Sequence, residues 1–264
     1  MQHMSPIDLF QEARLDEAVV AQAAVVRDRP DDIGERLLLC ALLAYTGDRG
    51  VVREQLEPLL SGPPEIGAYV AEWRDLVAAD DARHGGAAPE FMIDPPPHVL
   101  RRLEAYRNLV AGRSEGVHEM TDAAEELAPW VEGYVDGRAF DGWRDADDLL
   151  GPILELFHAG RYFWLPVDQV RTVRLGDEDD LRDRLYRPAT VRLADGRDWE
   201  VFLPTLYAGT VDHPEEGIRS GAGIDWVERA GLMRGVGARL FLFGEEELTA
   251  EEFRHVEVRR AYAH

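Results

Sequence analysis

The sequence predicts an α+β fold in which an all-helical N-terminal part precedes a mainly antiparallel α+β part. Two observations carry this. Apolar residues recur at helical spacing up to about residue 130, and short β-branched and aromatic runs separated by turn dipeptides follow from about residue 131. The domain assignment is therefore 1–130, helical and repeat-like, and 131–264, α+β.

The helical elements come first. In Leu15–Val26 the residues Leu15, Ala18, Val19, Val25 and Val26 fall near helical spacing. So do Ile33, Leu37, Ala41 and Ala44, then Val52, Leu56, Leu59 and Leu60, then Ile66, Tyr69, Val70, Trp73, Leu76 and Val77. The breaks suit helix ends: Arg29-Pro30, Gly47-Asp48, Ser61-Gly62-Pro63-Pro64 and His84-Gly85-Gly86. They also repeat. Ala13 and Gly47 stand 34 residues apart, as do Pro30 and Pro64, and Gly112 and Pro129 follow Gly47 and Pro64 by the same 65. A small residue at a hairpin turn and a Pro after the second helix, at that period, resembles a degenerate tetratricopeptide repeat. One helical hairpin cannot bury its own apolar face, so neighbours stack. The reading gives hairpins at roughly 5–29, 33–61 and 98–128, with an extra helix near 66–84; an irregular helical bundle is the alternative. Ala87–Pro97, with four prolines, is a loop.

The strands are expected at Ile153–Phe157, Tyr162–Leu165, Val170–Leu175, Thr190–Leu193, Trp199–Leu203, Leu240–Phe243 and Phe253–Val258. Ala159-Gly160 and Ala194-Asp195-Gly196-Arg197 are tight hairpin connections between them.

Composition bounds the function. The net charge is −22, and all 29 basic residues are Arg. The acidity is spread: 12 Arg against 24 acids up to residue 130, and 17 against 27 after it. A field of that sign repels phosphate backbones and argues against nucleic-acid binding. The one cysteine, Cys40, lies in the apolar run Leu37–Tyr45, so it reads as a buried thiol. That run is about half the length that spans a bilayer, and the N-terminus lacks a basic region followed by an apolar one, so a cytoplasmic protein without a membrane partner is expected.

Catalytic and ligand motifs find little support. Gly221-Ala222-Gly223 and Gly235-Val236-Gly237 lack the third Gly of a dinucleotide loop and read as turns, and no phosphate loop of the Lys-containing type is possible without Lys. Asp145-Ala146-Asp147-Asp148 fails as a calcium loop, because Leu149 and Leu150 occupy the next ligand and Gly positions. An acidic run before a helical turn is more often a cap. The eight His show no metal-ligand spacing. The reading is no metal, no cofactor, no catalytic residue and no small-molecule substrate; a metal-dependent hydrolase built from Asp145, Asp147, Asp148 and His158 is the alternative.

The informative segment is Asp141–Pro166. Here an acidic turn leads into a Gly151-Pro152-initiated strand, a tight turn at Gly160, and the aromatic strand Arg161-Tyr162-Phe163-Trp164-Leu165-Pro166. Tyr162 and Trp164 share one face, Phe163 and Leu165 the other. One face is core; the other is either an exposed aromatic platform for a partner or is covered by the helical part.

This segment resembles the ImpE/TagJ family of type VI secretion accessory proteins, whose members carry W-x-x-D-x-D-x-x-x-G-P-x-L-E and then G-R-Y-Y-W-[VL]-P. Trp143, Asp145, Asp147, Gly151, Pro152, Leu154, Glu155, Gly160, Arg161, Tyr162, Trp164 and Pro166 match, with Phe163 in place of Tyr. Leu181-Arg182-Asp183 with Tyr186-Arg187-Pro188-Ala189, Phe202–Gly209 and Gly235–Arg239 resemble further family motifs in order. The resemblance implies a non-enzymatic adaptor that binds the N-terminal helix of the small sheath subunit and associates with the AAA+ ATPase that disassembles contracted sheaths. A helix-in-groove mode fits, with Trp143, Tyr162, Trp164 and Tyr207 as contacts and Asp145 and Asp147 as a charged rim. Gly151, Pro152, Gly160 and Pro166 are turn chemistry. The net charge favours a basic helix.

Overall fold

The computed structural model describes residues 4–262. Seven helices come first: α1 (Pro6–Gln11), α2 (Leu15–Asp28), α3 (Ile33–Thr46), α4 (Arg49–Leu56), α5 (Pro64–His84), α6 (Pro97–Val110) and α7 (Val117–Leu127). Their starts carry the expected chemistry. Ser5 and Asp8 form a reciprocal capping box on α1, and Asp32 and Asp48 cap α3 and α4 through Glu35 N and Val51 N at 3.1 Å. The repeat spacing has a backbone cause: Ala13, Gly47 and Gly112, at the turns of the three helix pairs, all adopt positive φ (58°, 80° and 71°).

The strands are β1 (Trp130–Val135), β2 (Arg138–Asp141), β3 (Trp143–Asp145), β4 (Ile153–His158), β5 (Arg161–Pro166), β6 (Val170–Leu175), β7 (Tyr186–Leu193), β8 (Asp198–Pro204), β9 (Ile224–Arg229), β10 (Leu232–Gly237), β11 (Leu240–Phe243), β12 (Glu246–Thr249) and β13 (His255–Tyr262). Two short helices, α8 (Leu181–Leu185) and α9 (Glu216–Arg219), interrupt them. The main sheet has the order β2-β1-β13-β6-β7-β8-β4-β5 and is antiparallel throughout. β12-β11-β3 form a second sheet, and β9 and β10 a separate two-stranded hairpin.

The β4–β5 hairpin turns at Ala159 (φ 47°) and Gly160 (φ 74°), the left-handed pair that a two-residue connection needs. Both of its faces are covered. Tyr162 and Trp164 pack into a core shared with the helices, while Phe163 and Leu165 enter a second core shared with Trp143, Phe241 and Phe243. Of the two expectations for this strand, the covered one holds, because α5 lies across β4 and β5. The outer edge of β5 is also closed: Glu90 N donates to Tyr162 O (2.8 Å) and Trp164 N to Glu90 O (3.0 Å).

One turn assignment needs correcting. Gly235-Val236-Gly237 is strand, paired to Asp225 and its neighbours on β9. Gly235 is required there by space: a Cβ would lie 2.2 Å from Cε2 of Tyr207, whose ring rests on the strand. Among the described residues no helix is long and apolar enough to cross a membrane.

Candidate functional site

Where the helices meet β4, β5 and the β9–β10 hairpin, a cleft of about 360 Å³ remains open, a size in the range of ligand pockets. Its floor is Glu155 of β4, Tyr162 and Trp164 of β5, and Tyr207. The end of α5 (Arg83, His84) and α6 (Tyr106, Leu109, Val110) form one wall. Val227, Arg229, Arg234 and Val236 of the hairpin form the other. Tyr106 meets Trp164 edge-on, ring centres 5.4 Å apart.

Below the floor runs a chain of alternating buried charges. Arg239 bridges Asp145 (3.3 Å) and Glu155; Arg83 bridges Glu155 (3.4 Å) and Asp80 (3.1 Å); Arg49 closes on Asp80 at 2.7 Å. Each carboxylate also takes one tyrosine hydroxyl: Tyr207 on Asp145 (2.8 Å), Tyr162 on Glu155, and Tyr186 on Asp80 (3.1 Å). All six charged groups are buried, which is tolerable only because each is paired and hydrogen-bonded.

The carboxyls differ in basicity for visible reasons. Burial dominates at Asp145; Arg239 offsets it in part while neighbouring Asp147 adds to it, and the carboxyl rises to about 7. At Glu155 burial pushes upward too, but Arg239, Arg83 and the Tyr162 hydroxyl outweigh it and hold the group at about 2. At Asp80 burial is likewise outweighed, by Arg83, His84 and Arg49, so that carboxyl is held well below its ordinary value. Burial raises the three tyrosine hydroxyls, which therefore stay protonated and donate.

Asp147 anchors the back of the cleft. It accepts from Leu149 N (2.9 Å), Leu150 N (3.2 Å), Gly235 N (3.0 Å) and Arg234 Nε (2.7 Å). The adjoining turn depends on Gly151 (φ 50°), where a Cβ would come 2.6 Å from Nη2 of Arg102. Arg102 holds the turn through Asp148 O (2.7 Å) and Leu149 O (3.1 Å). Pro152 O accepts from Val167 N (3.0 Å), and Pro166 closes the β4–β5 register opposite Ile153.

The structure thus brings Tyr162, Trp164 and Tyr207 together under the cleft, buried at 3%, 0% and 2% exposed, so they form its base rather than an exposed aromatic platform. Asp145 and Asp147, expected as a charged rim, are instead 1% and 0% exposed, because backbone and arginine donors saturate them. Trp143 packs in the second core, stacked on Phe243 at 5.6 Å, and does not line the cleft. The metal alternative also fails on geometry. Asp145 and Asp147 are committed as described, Asp148 Oδ2 accepts from Met233 N (2.7 Å), and His158 lies at the β4–β5 turn, its Nδ1 2.7 Å from Glu200 O and its ring against Trp199. Among the described residues no three His, Cys, Asp or Glu side chains are placed to hold a metal. Burial pushes the Cys40 thiol up to about 12, which leaves it protonated.

Sequence reasoning did not single out Arg83, Tyr106, Arg229, Arg234 or Arg239 as site residues. Arg239 had a signal, since it ends the Gly235–Arg239 motif. The others had none: Arg is spread through a chain without Lys, Tyr106 lies on an ordinary amphipathic helix, and placement on a cleft is a tertiary property.

Comparison with known proteins agrees with this architecture. The family model described as ImpE protein matches residues 137–257. The type VI secretion system accessory component TagJ of Pseudomonas aeruginosa is 30% identical over 254 residues, covering 95% of this chain and 89% of that protein. The crystal structure of protein VPA1032 from Vibrio parahaemolyticus superposes with a TM-score of 0.87 at 24% identity, over 97% of each chain, a likeness of fold.

Proposed function

Since the chain belongs to the ImpE family, with the type VI secretion accessory component TagJ among its relatives, we propose that it is an accessory protein of a contractile secretion system that acts by binding, without catalysis. Its partner in this reading is the N-terminal helix of the small sheath subunit, and it associates with the AAA+ ATPase that disassembles contracted sheaths. The observation that supports a helix-in-groove mode is the cleft itself. Tyr106, Tyr162, Trp164 and Tyr207 give it an aromatic floor, and the exposed apolar residues Val110 and Val227 stand on either wall. Tyr162, Trp164 and Tyr207, the expected contacts, are buried and shape the floor from below, so Tyr106, Val110 and Val227 are proposed as the residues that touch the partner. Asp145 and Asp147 support the floor and the hairpin from below, and Trp143 fixes β3 against the second core.

The buried charge chain fits this role. Its three carboxylates are each ion-paired and each take a tyrosine hydroxyl, which ties the helical part to the sheet and favours one arrangement of the cleft before the partner arrives. The experiment is a pull-down of a type VI small sheath subunit, followed by titration of a peptide of its N-terminal helix. Saturable binding of both supports the proposal, and binding of neither removes it.

A further inference from the structure

The charges lining the cleft have the opposite sign to the molecule. The chain carries −22, yet the arginines and carboxylates on the cleft are Arg83, Arg229 and Arg234 against Glu155 alone. Glu155 is fully engaged by Tyr162, Arg239 and Arg83, and Arg83 is spent on Asp80, Glu155 and Leu206 O (3.1 Å). The other two guanidiniums are available. Arg234 uses only its Nε, on Asp147; its two Nη groups have no partner among the described residues, although the side chain is only 24% exposed. Arg229 is exposed and has no hydrogen-bond or ion-pair partner among the described residues. Strand alternation puts Val227 and Arg229 of β9 on one face, and the register Arg234↔Val227 puts Arg234 and Val236 of β10 on that same face, toward the cleft. Asp147 is itself held by four donors, so it fixes the orientation of Arg234 in advance.

We propose that this cleft recognises a carboxylate joined to an apolar group: an Asp or Glu side chain of the partner helix, with the apolar residue one turn away. The free Nη donors of Arg234, with Arg229, take the carboxylate, and the apolar residue lies against Tyr106, Val110 and Val227. Side chains three or four apart on a helix are about 5–6 Å apart, which suits both positions. A phosphate alone would satisfy the guanidiniums but leave Tyr106, Val110 and Val227 bare. The inference deepens the reading above and rests on it for the source of the carboxylate, but not for the carboxylate chemistry.

The test separates the two. 4-Phenylbutyrate and 4-phenylbutanol are titrated into the full chain by calorimetry and ligand-observed NMR, alongside Arg229→Met and Arg234→Lys. Arg229→Met removes an exposed, unpartnered charge and leaves the fold unchanged; Arg234→Lys keeps a cation beside Asp147 but loses the two-pronged donor. The acid is expected to bind at least about tenfold more tightly than the alcohol, with the preference falling below about threefold in each variant. Equal binding of acid and alcohol, no binding of either, or a preference that survives in Arg229→Met overturns the inference. The sheath helix peptide is then added as competitor, beside a version with its acids replaced by amides. Displacement of phenylbutyrate by the first alone supports the helix as the source. A peptide that fails to displace a carboxylate-selective ligand overturns the helix source and the partner reading while the pocket chemistry stands. Displacement by both peptides overturns the acid as the anchor.

Discussion

Arg83, at the end of α5, reaches Glu155 in the middle of β4, Nη1 to Oε2 at 3.4 Å, and this contact joins the charges of the helical part to those of the sheet. On one side of it stand Asp80 and Arg49, on the other Arg239 and Asp145. Removing one member leaves its neighbours one partner each and the buried chain out of charge balance, so Arg83→Met and Glu155→Gln are each expected to lower stability by about 3 kcal/mol. The double variant should lose clearly less than the sum, since the second change restores the charge balance that the first upset. Urea unfolding of the four proteins checks this; strict additivity would mean the contact carries no coupling.

Asp145 gives stability an unusual pH dependence. Its carboxyl is raised from 3.8 to about 7 by burial, so between those values the native state holds a proton that the unfolded state has released. Its contribution is fully present below pH 3.8 and is lost as pH rises through 7. Glu155 runs the other way: held at about 2 against 4.5, it stabilises above pH 4.5 and loses that contribution as pH falls toward 2. Asp145→Asn is therefore expected to remove a downward slope in stability between about pH 4 and pH 7. Unfolding midpoints of both proteins across that window measure it, and parallel curves would refute the assignment.

Two glycines with similar backbones should differ sharply in what they tolerate. Gly151 has φ 50°, and Arg102 fills the place of its side chain at 2.6 Å; Gly112 has φ 71° and open space around it. Gly112→Ala is expected to cost roughly 1 kcal/mol, the left-handed penalty alone. Gly151→Ala should cost roughly 3 kcal/mol, because it also displaces a buried guanidinium from the Asp148 and Leu149 carbonyls. Thermal melts of the two variants side by side decide it.

What the sequence disclosed follows from how local each feature is. Ala13, Gly47 and Gly112 mark turns because the chain reverses there through a left-handed residue, a conformation that small residues and Gly take most easily and that is written in one position. The β4–β5 hairpin is equally local. β10 was hidden because Gly235 and Gly237 are poor strand formers, and only the distant Tyr207 ring explains Gly235. Asp145 and Asp147 looked like surface acids, since nothing nearby in sequence shows that Arg239 and Arg234, some ninety residues on, come to meet them. Charge pairing across the fold is not periodic, and periodicity is most of what a single sequence offers.

Tyr207 ties the cleft to the charge chain below it. Its hydroxyl donates to Asp145 Oδ1 (2.8 Å) and accepts from Leu240 N (3.1 Å), while its ring covers Gly235 and faces the cleft. Tyr207→Phe keeps the ring and removes one donor from Asp145 and one acceptor from a buried amide. The expected loss is about 1–3 kcal/mol of stability, with the Asp145 carboxyl rising further because a group favouring its charged form is gone. The downward slope between pH 4 and pH 7 should then extend to higher pH. Partner binding should persist below the melting transition, because the aromatic floor is unchanged. Tyr207→Ala removes the ring as well, so it should weaken binding in addition to stability. Equal binding losses in the two variants would place the hydroxyl, rather than the ring, at the contact.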